Sequence, residues 1–409
     1  MTLALHHPTA ILDGHLNITG SKSESNRLLV LQALFPSIQV NNLSNADDVQ
    51  VMQKALASQE STKDIHHAGT TMRFLTAYYA TKPGAEVTLT GSQRMQERPI
   101  GILVDALRQL GADIRYAKNE GYPPLHIKGQ KILKNTAVLP ASVSSQYISA
   151  LMLVAPSLEN GLEITLEGTI TSVPYIKMTQ ALLHQIGIQT TFDDQCISIL
   201  PMQQSPNTSN LTVESDWSSA SYFYSLVALS KSAKITLTSY RPDSLQGDAV
   251  LKSLYNELGV QTTFTKTGIT LEKQADFSLP EHINFDLVHA PDLAQTIAVS
   301  CAALGVGCDL TGLHTLKIKE TDRLLALHRE LTKLGVQISV TNDSLHLKPL
   351  DKLKENVSIA TYQDHRMALA FAPLGLKVPI QIEEAVVVSK SYPDFWSDLN
   401  QLGFQIKEI

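Results

Sequence analysis

The sequence predicts an α/β protein of two domains, and three observations carry that prediction. A helix-then-strand pattern recurs along the chain. Polar motifs stand directly before strongly apolar, helix-length segments. The length of 409 residues exceeds what a single core usually serves.

The recurring pattern is an amphipathic helix that ends at Leu-Gly or Ile-Gly and runs straight into an alternating strand. Its copies lie at residues 102–115, 178–192, 250–264, 324–340 and 395–409, with Gly111, Gly187, Gly259, Gly335 and Gly403 at the junctions. Each glycine can take the left-handed conformation that closes a helix. The junctions recur every roughly 70 to 76 residues, too long a period for a solenoid. The period suits a subdomain of two helices and several strands, duplicated about six times, with three copies per domain if the halves are alike. No Pro/Gly/Ser linker marks the boundary, and residues 201–212 come closest, so the crossing is placed near Thr212 to Ser215.

Six polar motifs precede the other helix of each copy. They are residues 21–27 (SKSESNR), 68–73 (AGTTMR), 142–146 (SVSSQ), 291–296 (PDLAQT), 319–323 (KETDR) and 363–366 (QDHR). Several of the segments that follow, near Leu28–Phe35, Ile148–Pro156 and Met367–Leu376, are nearly all apolar, so these helices are expected inside the domains, with the amphipathic ones outside. Helix starts carry unpaired N–H groups and the positive end of the macrodipole, and therefore favour caps and anions. Six of them suggest one site for highly charged ligands.

Composition narrows the class. The chain is 43% apolar and 18% charged, with net charge -6 and no Lys/Arg block, which argues against nucleic acid or an anionic membrane as partner. Cys196, Cys301 and Cys308 lack metal or redox spacing and favour a reducing compartment. No secretory signal is expected in residues 1–20, and the apolar segments are too short to span a bilayer.

Within the motifs, Lys22 offers a point charge, Ser23 a hydroxyl and Arg27 a fork for phosphate or carboxylate, although a capped helix with a solvated lysine reads equally well. The sequence lacks the nucleotide P-loop pattern there. Gly69-Thr70 permits close backbone approach to a ligand, or is only a turn. Arg98 precedes Pro99, which can open a helix at its first position, and could instead pair with Glu97. Ser144, Ser145 and Gln146 offer neutral donors with no nucleophile elbow nearby, so binding is favoured over acyl-enzyme chemistry. Lys319 and Arg323 fall four apart on a helix whose stripe is Leu324, Leu327, Leu331 and Leu334, and Glu320 between them stays ionised and able to exchange a proton. A salt-bridged helix start is the plain alternative. His365-Arg366 adds an imidazole and a further cation, and His66 and His67 read as loop residues without a third metal ligand.

Ten motifs in order resemble the 5-enolpyruvylshikimate-3-phosphate synthase family over essentially the whole chain. Besides the six above, they include residues 96–101 (QERPIG), 172–176 (SVPYI), 215–223 (SDWSSASYF) and 389–396 (SKSYPDFW). The resemblance implies a two-lobed inside-out α/β barrel, each lobe made of three βαβαββ units around buried helices. Residues 1–19 and 214–409 would form one lobe and 20–213 the other, with the active site in the cleft between them. It implies transfer of the enolpyruvyl group of phosphoenolpyruvate to the 5-hydroxyl of shikimate 3-phosphate by addition and elimination, with no cofactor or metal, in a cytoplasmic monomer.

By motif, shikimate 3-phosphate would meet Lys22, Ser23, Arg27, Ser144, Ser145, Ser172, Tyr175, Asp292 and Lys319. Phosphoenolpyruvate would meet Lys22, Gly69, Arg98, Gln146, Arg323, Arg366 and Lys390, with Thr70 and His365 in support. Asp292 is implied as the base toward the 5-hydroxyl, Glu320 as the proton donor and acceptor at the methylene carbon, and Lys22 as the partner of the leaving phosphate. The chain departs from the family pattern at His67, where Asn is common, at Thr315, where Asn is common, and at Phe74, where Pro is common. These departures bear on substrate contacts and on the response to glyphosate. The sister transferase acting on UDP-N-acetylglucosamine is disfavoured by the Lys22-Ser23 pair and by the absence of cysteine before Cys196. A noncatalytic homologue is disfavoured by the joint presence of the charged residues.

Overall fold

A computed structural model describes residues 1–141, 144–168, 170, 173–203 and 209–409. The chain divides into two compact units, Met1–Thr19 with Glu214–Ile409, and Gly20–Val213. Each unit is mixed α/β and carries three sheets among the described residues.

In the 20–213 unit the helices Lys22–Leu34, Gly69–Ala80 and Ser145–Val154 pack on one another. Their apolar residues are buried almost without exception, from Met72, Leu75 and Ala77 to Ile148, Leu151 and Leu153. In the other unit Ala294–Leu304 packs on Trp217–Leu229 and on His365–Phe371. These helices lack a polar face, so burial on all sides is the arrangement that removes their surface from water. The sheets show the opposite pattern, with strands such as Leu162–Glu167 alternating strictly between buried and exposed residues. That alternation is what a sheet with one face on a core requires.

Three of the four-stranded sheets begin with a parallel pair joined through a buried helix. Thr136–Pro140 lies parallel to Leu162–Glu167, Thr62–Asp64 to Glu86–Thr90, and His282–Asp286 to Gly307–Thr311. An amphipathic helix then leads into an antiparallel pair. The helix Gly101–Leu110 buries Leu103, Val104, Leu107 and Leu110, and Gly111 closes it at φ 106° before the strand Asp113–Tyr116. The other four junction glycines also have positive φ, between 79° and 94°, the conformation in which a Cβ would be strained.

Two of the sheets of the larger unit draw on the first residues of the chain. Ile11–Leu16 runs parallel to Ser232–Thr238, with Gly14 opposite Ile235. Leu3–His6 is an inner strand between Ile380–Ile382 and Gln405–Glu408.

One expectation is corrected. Of the six repeats, five have four-stranded sheets, whereas the sixth shows only the parallel pair Ser209–Thr212 and Ile38–Asn41 among the described residues. Its amphipathic helix, Asp47–Ala57, is followed at once by Thr62–Asp64, which already belongs to the next sheet. The chain between them is too short for an antiparallel pair.

Candidate active site

The polar motifs sit at the first turns of the buried helices or just before them. In the 20–213 unit, Ser21 caps the helix that carries Lys22, Ser23 and Arg27. Lys22 Nζ lies 3.8 Å from Asp48 Oδ2, and His67 Nε2 lies 3.8 Å from the other oxygen of the same carboxylate. Asp48 therefore joins a predicted site residue to one of the three departures. No motif in the chain pointed to it.

Arg27 is fully packed. Its Nε donates to Thr179 Oγ1 at 2.8 Å, Nη1 to the Ser23 carbonyl at 2.8 Å and Nη2 to Ser149 Oγ at 3.0 Å. Its guanidinium also lies over the rings of Phe74 and Tyr175, at 5.5 and 5.7 Å. Burial lowers its pKa to about 10, so it keeps its charge at neutral pH. Phe74 thus acts on Arg27 rather than only on the helix start.

Gly69 opens its helix between two guanidinium groups. A Cβ at this position would lie 2.6 Å from Arg98 Nη1, so the absence of a side chain is what lets Arg98 approach. Arg73 Nη1 donates to the Gly69 carbonyl at 3.1 Å and Nη2 to the Pro99 carbonyl at 2.9 Å. Burial, then the charge of Arg98, lowers the Arg73 pKa to about 10. Pro99 does not open the next helix, which starts at Gly101 with Ile100 as its cap. Its carbonyl is instead held by Arg73 and by the Tyr147 hydroxyl. Glu97 pairs with Arg94, at 3.5 Å.

Ser144 caps the third buried helix, its hydroxyl accepting from Gln146 N, while Gln146 Nε2 donates to Thr70 Oγ1 at 3.2 Å. Ser145 is buried and Tyr175 is half-buried. Ser172, together with Ser142 and Val143, lies outside the described residues.

In the other unit the charged motifs converge on Arg323, which is 2% exposed. Its Nη1 donates to Asp292 Oδ1 at 2.7 Å, its Nη2 to Glu320 Oε2 at 2.8 Å and its Nε to Asp364 Oδ2 at 2.7 Å. Burial alone would lower the Arg323 pKa, but Asp364, Glu320 and Asp292 outweigh it and hold the group above its ordinary value. The expected placement of Lys319 and Glu320 on the helix is corrected: the helix begins at Arg323, with Asp322 as its cap. Lys319 meets Arg323 through Asp292, which its Nζ approaches to 3.4 Å.

Arg366 completes the group. Nη2 donates to Asp292 Oδ2 at 3.3 Å and to Ser218 Oγ at 3.2 Å, and the Ser218 hydroxyl in turn donates to Asp248 Oδ2. Asp248 is buried, and burial raises its pKa to about 6, against the opposing pull of Arg366. Asp248 and Ser218 were missed as site residues, since nothing in the sequence ties them to Arg366.

Asp364 caps the helix that begins at His365, accepting from Arg366 N at 2.9 Å. His365 is buried beside it. Lys390 Nζ donates to the Gln363 carbonyl at 2.7 Å. Tyr362 and Gln363, directly before the cap, both have positive φ, 53° and 55°, a conformation costing a non-glycine residue about 1–2 kcal/mol. The Thr315 hydroxyl is buried with no hydrogen-bond partner among the described residues.

Among the described residues no group of three or more His, Cys, Asp or Glu could hold a metal ion, and no helix is long and apolar enough to cross a membrane. The two clusters offer cations for anionic groups and carboxylates for proton transfer.

Comparison with known proteins points the same way. The family model described as EPSP synthase (3-phosphoshikimate 1-carboxyvinyltransferase) matches residues 52–399. A Bacteroides fragilis protein named 3-phosphoshikimate 1-carboxyvinyltransferase is 48% identical over 397 residues, covering 96% of each chain. A Histophilus somni protein of the same name is 35% identical, over 97% of this chain and 98% of its own. Among solved structures, an EPSP synthase from Acinetobacter baumannii superposes with a TM-score of 0.81 at 20% identity, covering both chains in full. An enolpyruvyl transferase from Streptomyces tendae gives 0.75 at 14% identity, over 99% and 98% of the two chains. At these identities the structures speak to the fold.

Proposed function

The chain belongs to the EPSP synthase family, and from that premise we infer that it is a 3-phosphoshikimate 1-carboxyvinyltransferase of the shikimate pathway. It moves the enolpyruvyl group of phosphoenolpyruvate to the 5-hydroxyl of shikimate 3-phosphate and releases phosphate. We further propose that it works as a cytoplasmic monomer without a cofactor.

The observation that carries the reading is one arginine holding two candidate proton-transfer groups. Arg323 binds Asp292 and Glu320 at 2.7 and 2.8 Å, fixing both carboxylates in one frame. Addition across the double bond of phosphoenolpyruvate, an enol phosphate, needs a base for the attacking hydroxyl and an acid for the methylene carbon, and elimination of phosphate then restores the double bond. Asp292 is proposed as the former and Glu320 as the latter. Arg366 holds Asp292 by a longer contact, 3.3 Å, and is the guanidinium more readily given over to an incoming carboxylate. Arg323 and Lys390 are proposed to bind phosphoenolpyruvate with it.

The phosphate group of phosphoenolpyruvate is assigned to Lys22, Gly69, Arg98 and Gln146. The geometry that supports this is Arg98 against the bare Cα of Gly69, beside helix N–H groups that favour anions. Shikimate 3-phosphate is assigned to Ser23, Arg27, Ser144, Ser145, Tyr175 and Lys319, with Lys22 and Asp292 shared and Ser172 outside the described residues. Thr70, bonded to Gln146, and His365, beside Asp364, support the two sets.

The test is inorganic phosphate release from phosphoenolpyruvate by purified protein, with shikimate 3-phosphate or UDP-N-acetylglucosamine as acceptor and no added metal. Release with shikimate 3-phosphate alone is expected. Release with the UDP-sugar alone, or with neither, would refute the reading.

A further inference from the structure

Glu330 lies on the helix that Arg323 opens, two turns away from the charged cluster, and is completely buried. A buried carboxylate is kept only with partners, and this one has three. It accepts from Lys333 Nζ at 2.6 Å, from Tyr362 OH at 2.6 Å and from the Ala360 amide at 3.0 Å. Lys333 also donates to the Ser358 carbonyl. All of these contacts except the one to Lys333 itself fall on the segment that runs into the Asp364 cap.

That segment is strained. Tyr362 and Gln363 have φ of 53° and 55°, and such residues persist only where the surroundings over-determine them. The next residue, Asp364, is the pivot of the charged cluster: it caps the helix carrying Arg366 and accepts two bonds from Arg323. Two further contacts brace the segment from other elements. Thr361 Oγ1 donates to Glu384 Oε2 at 3.3 Å, and Lys390 Nζ donates to the Gln363 carbonyl. The Tyr362 hydroxyl is held protonated, with its pKa raised to about 12 by burial and then by Glu330, so it remains a donor across the working pH range.

We propose that Glu330 and Tyr362 are positioning residues for the reaction: their hydrogen bond holds the strained 360–363 segment and thereby fixes Asp364 and the guanidinium of Arg366. This inference rests on the reading of Arg366 as a carboxylate ligand of phosphoenolpyruvate. Neither Glu330 nor Tyr362 is among the residues proposed to bind substrate, so their removal is expected to act on the placement of Arg366 rather than on chemistry.

The experiment compares the parent protein with Tyr362→Phe, Gln363→Asn and the double variant, by amide exchange across residues 360–368 and by steady-state kinetics for both substrates. Asn accepts positive φ more readily than Gln, so Gln363→Asn alone should slow exchange of the segment. Tyr362→Phe should speed it and raise KM for phosphoenolpyruvate about three- to tenfold, with kcat and the shikimate 3-phosphate KM within about twofold. The double variant should recover part of the phosphoenolpyruvate KM. Unchanged exchange in both single variants overturns the proposal. So does a parallel fall in kcat and rise in both KM values with a lowered melting temperature, which marks a purely structural role. A parent protein that releases no phosphate would refute the activity, while the exchange measurement would still decide the bracing.

Discussion

Arg323 Nη1 stands 2.7 Å from Asp292 Oδ1, and this bond joins the end of one buried helix start to the beginning of the amphipathic helix two elements later. Asp292 is thereby fixed by a residue that also fixes Glu320. The two carboxylates proposed for proton transfer cannot drift independently, and each can be removed while Arg323 keeps two of its three partners.

From this, Asp292→Ala and Glu320→Ala are expected to fold and to lose turnover by about 10²–10⁴-fold each. Phosphate release read beside a circular-dichroism melt checks both points. Near-normal turnover in either variant removes that residue from its role.

Replacing the cation itself should have a different outcome. Arg323→Met leaves Asp292, Glu320 and Asp364 without their shared partner, and breaking a buried pair costs about 3–5 kcal/mol. Urea unfolding should show that loss as a lowered midpoint, in contrast to the single carboxylate variants. A midpoint equal to the parent's would show that the network contributes nothing to folding.

Asp248 predicts a pH effect. Its folded pKa is raised, to about 6 from 3.8, chiefly by burial, so the folded state holds the proton more tightly than the unfolded state. The contribution is complete below the unfolded pKa and is lost as pH rises through about 6, at a slope of at most about 1.4 kcal/mol per pH unit. Asp248→Asn cannot titrate. Its stability relative to the parent should therefore be higher at pH 7 than at pH 4.5 in denaturant titrations, and an equal difference at the two values would refute the assignment.

At Gly69 the added methyl group of Gly69→Ala would meet Arg98 Nη1 at 2.6 Å. The guanidinium end must shift, which should raise KM for phosphoenolpyruvate and weaken inhibition by glyphosate more strongly. Inhibition and substrate kinetics on one preparation measure both, and equal losses would count against this account.

Much of the fold was legible because it follows from periodicity. Apolar runs after polar motifs marked the buried helices, and Leu-Gly or Ile-Gly marked the junctions where Gly111 and its four counterparts adopt positive φ. The missing antiparallel pair of the sixth repeat depended on chain length between Ala57 and Thr62, which a pattern search does not weigh. In the site, the motifs identified Asp292, Glu320, Arg323 and Arg366, which meet. The spacing argument for Lys319 and Arg323 named two groups that do converge, but on Asp292 rather than along a helix. Asp48 and Asp248 were invisible because their partners, Lys22 and Ser218, lie 26 and 30 residues away. Periodicity tells which face is buried, not which distant carboxylate meets it. Arg27 read as a ligand-facing cation from its motif, and the folded chain adds Thr179, Ser149 and the Ser23 carbonyl as acceptors for three of its five N–H groups; the first two are distant in sequence and were not legible there.

The strand Leu3–His6, seated between Ile380–Ile382 and Gln405–Glu408, also sets an order of events during synthesis. It is made well before its neighbours and must wait through roughly 370 further residues of translation for them, a loop closure of very long range. The Gly20–Val213 unit, contiguous in sequence, can close its own sheets meanwhile, as domains generally fold in the order they emerge. The strand Leu3–His6 therefore stays without its neighbours while the intervening chain is made, open to chaperones and to faulty pairing until Ile380–Ile382 and Gln405–Glu408 emerge.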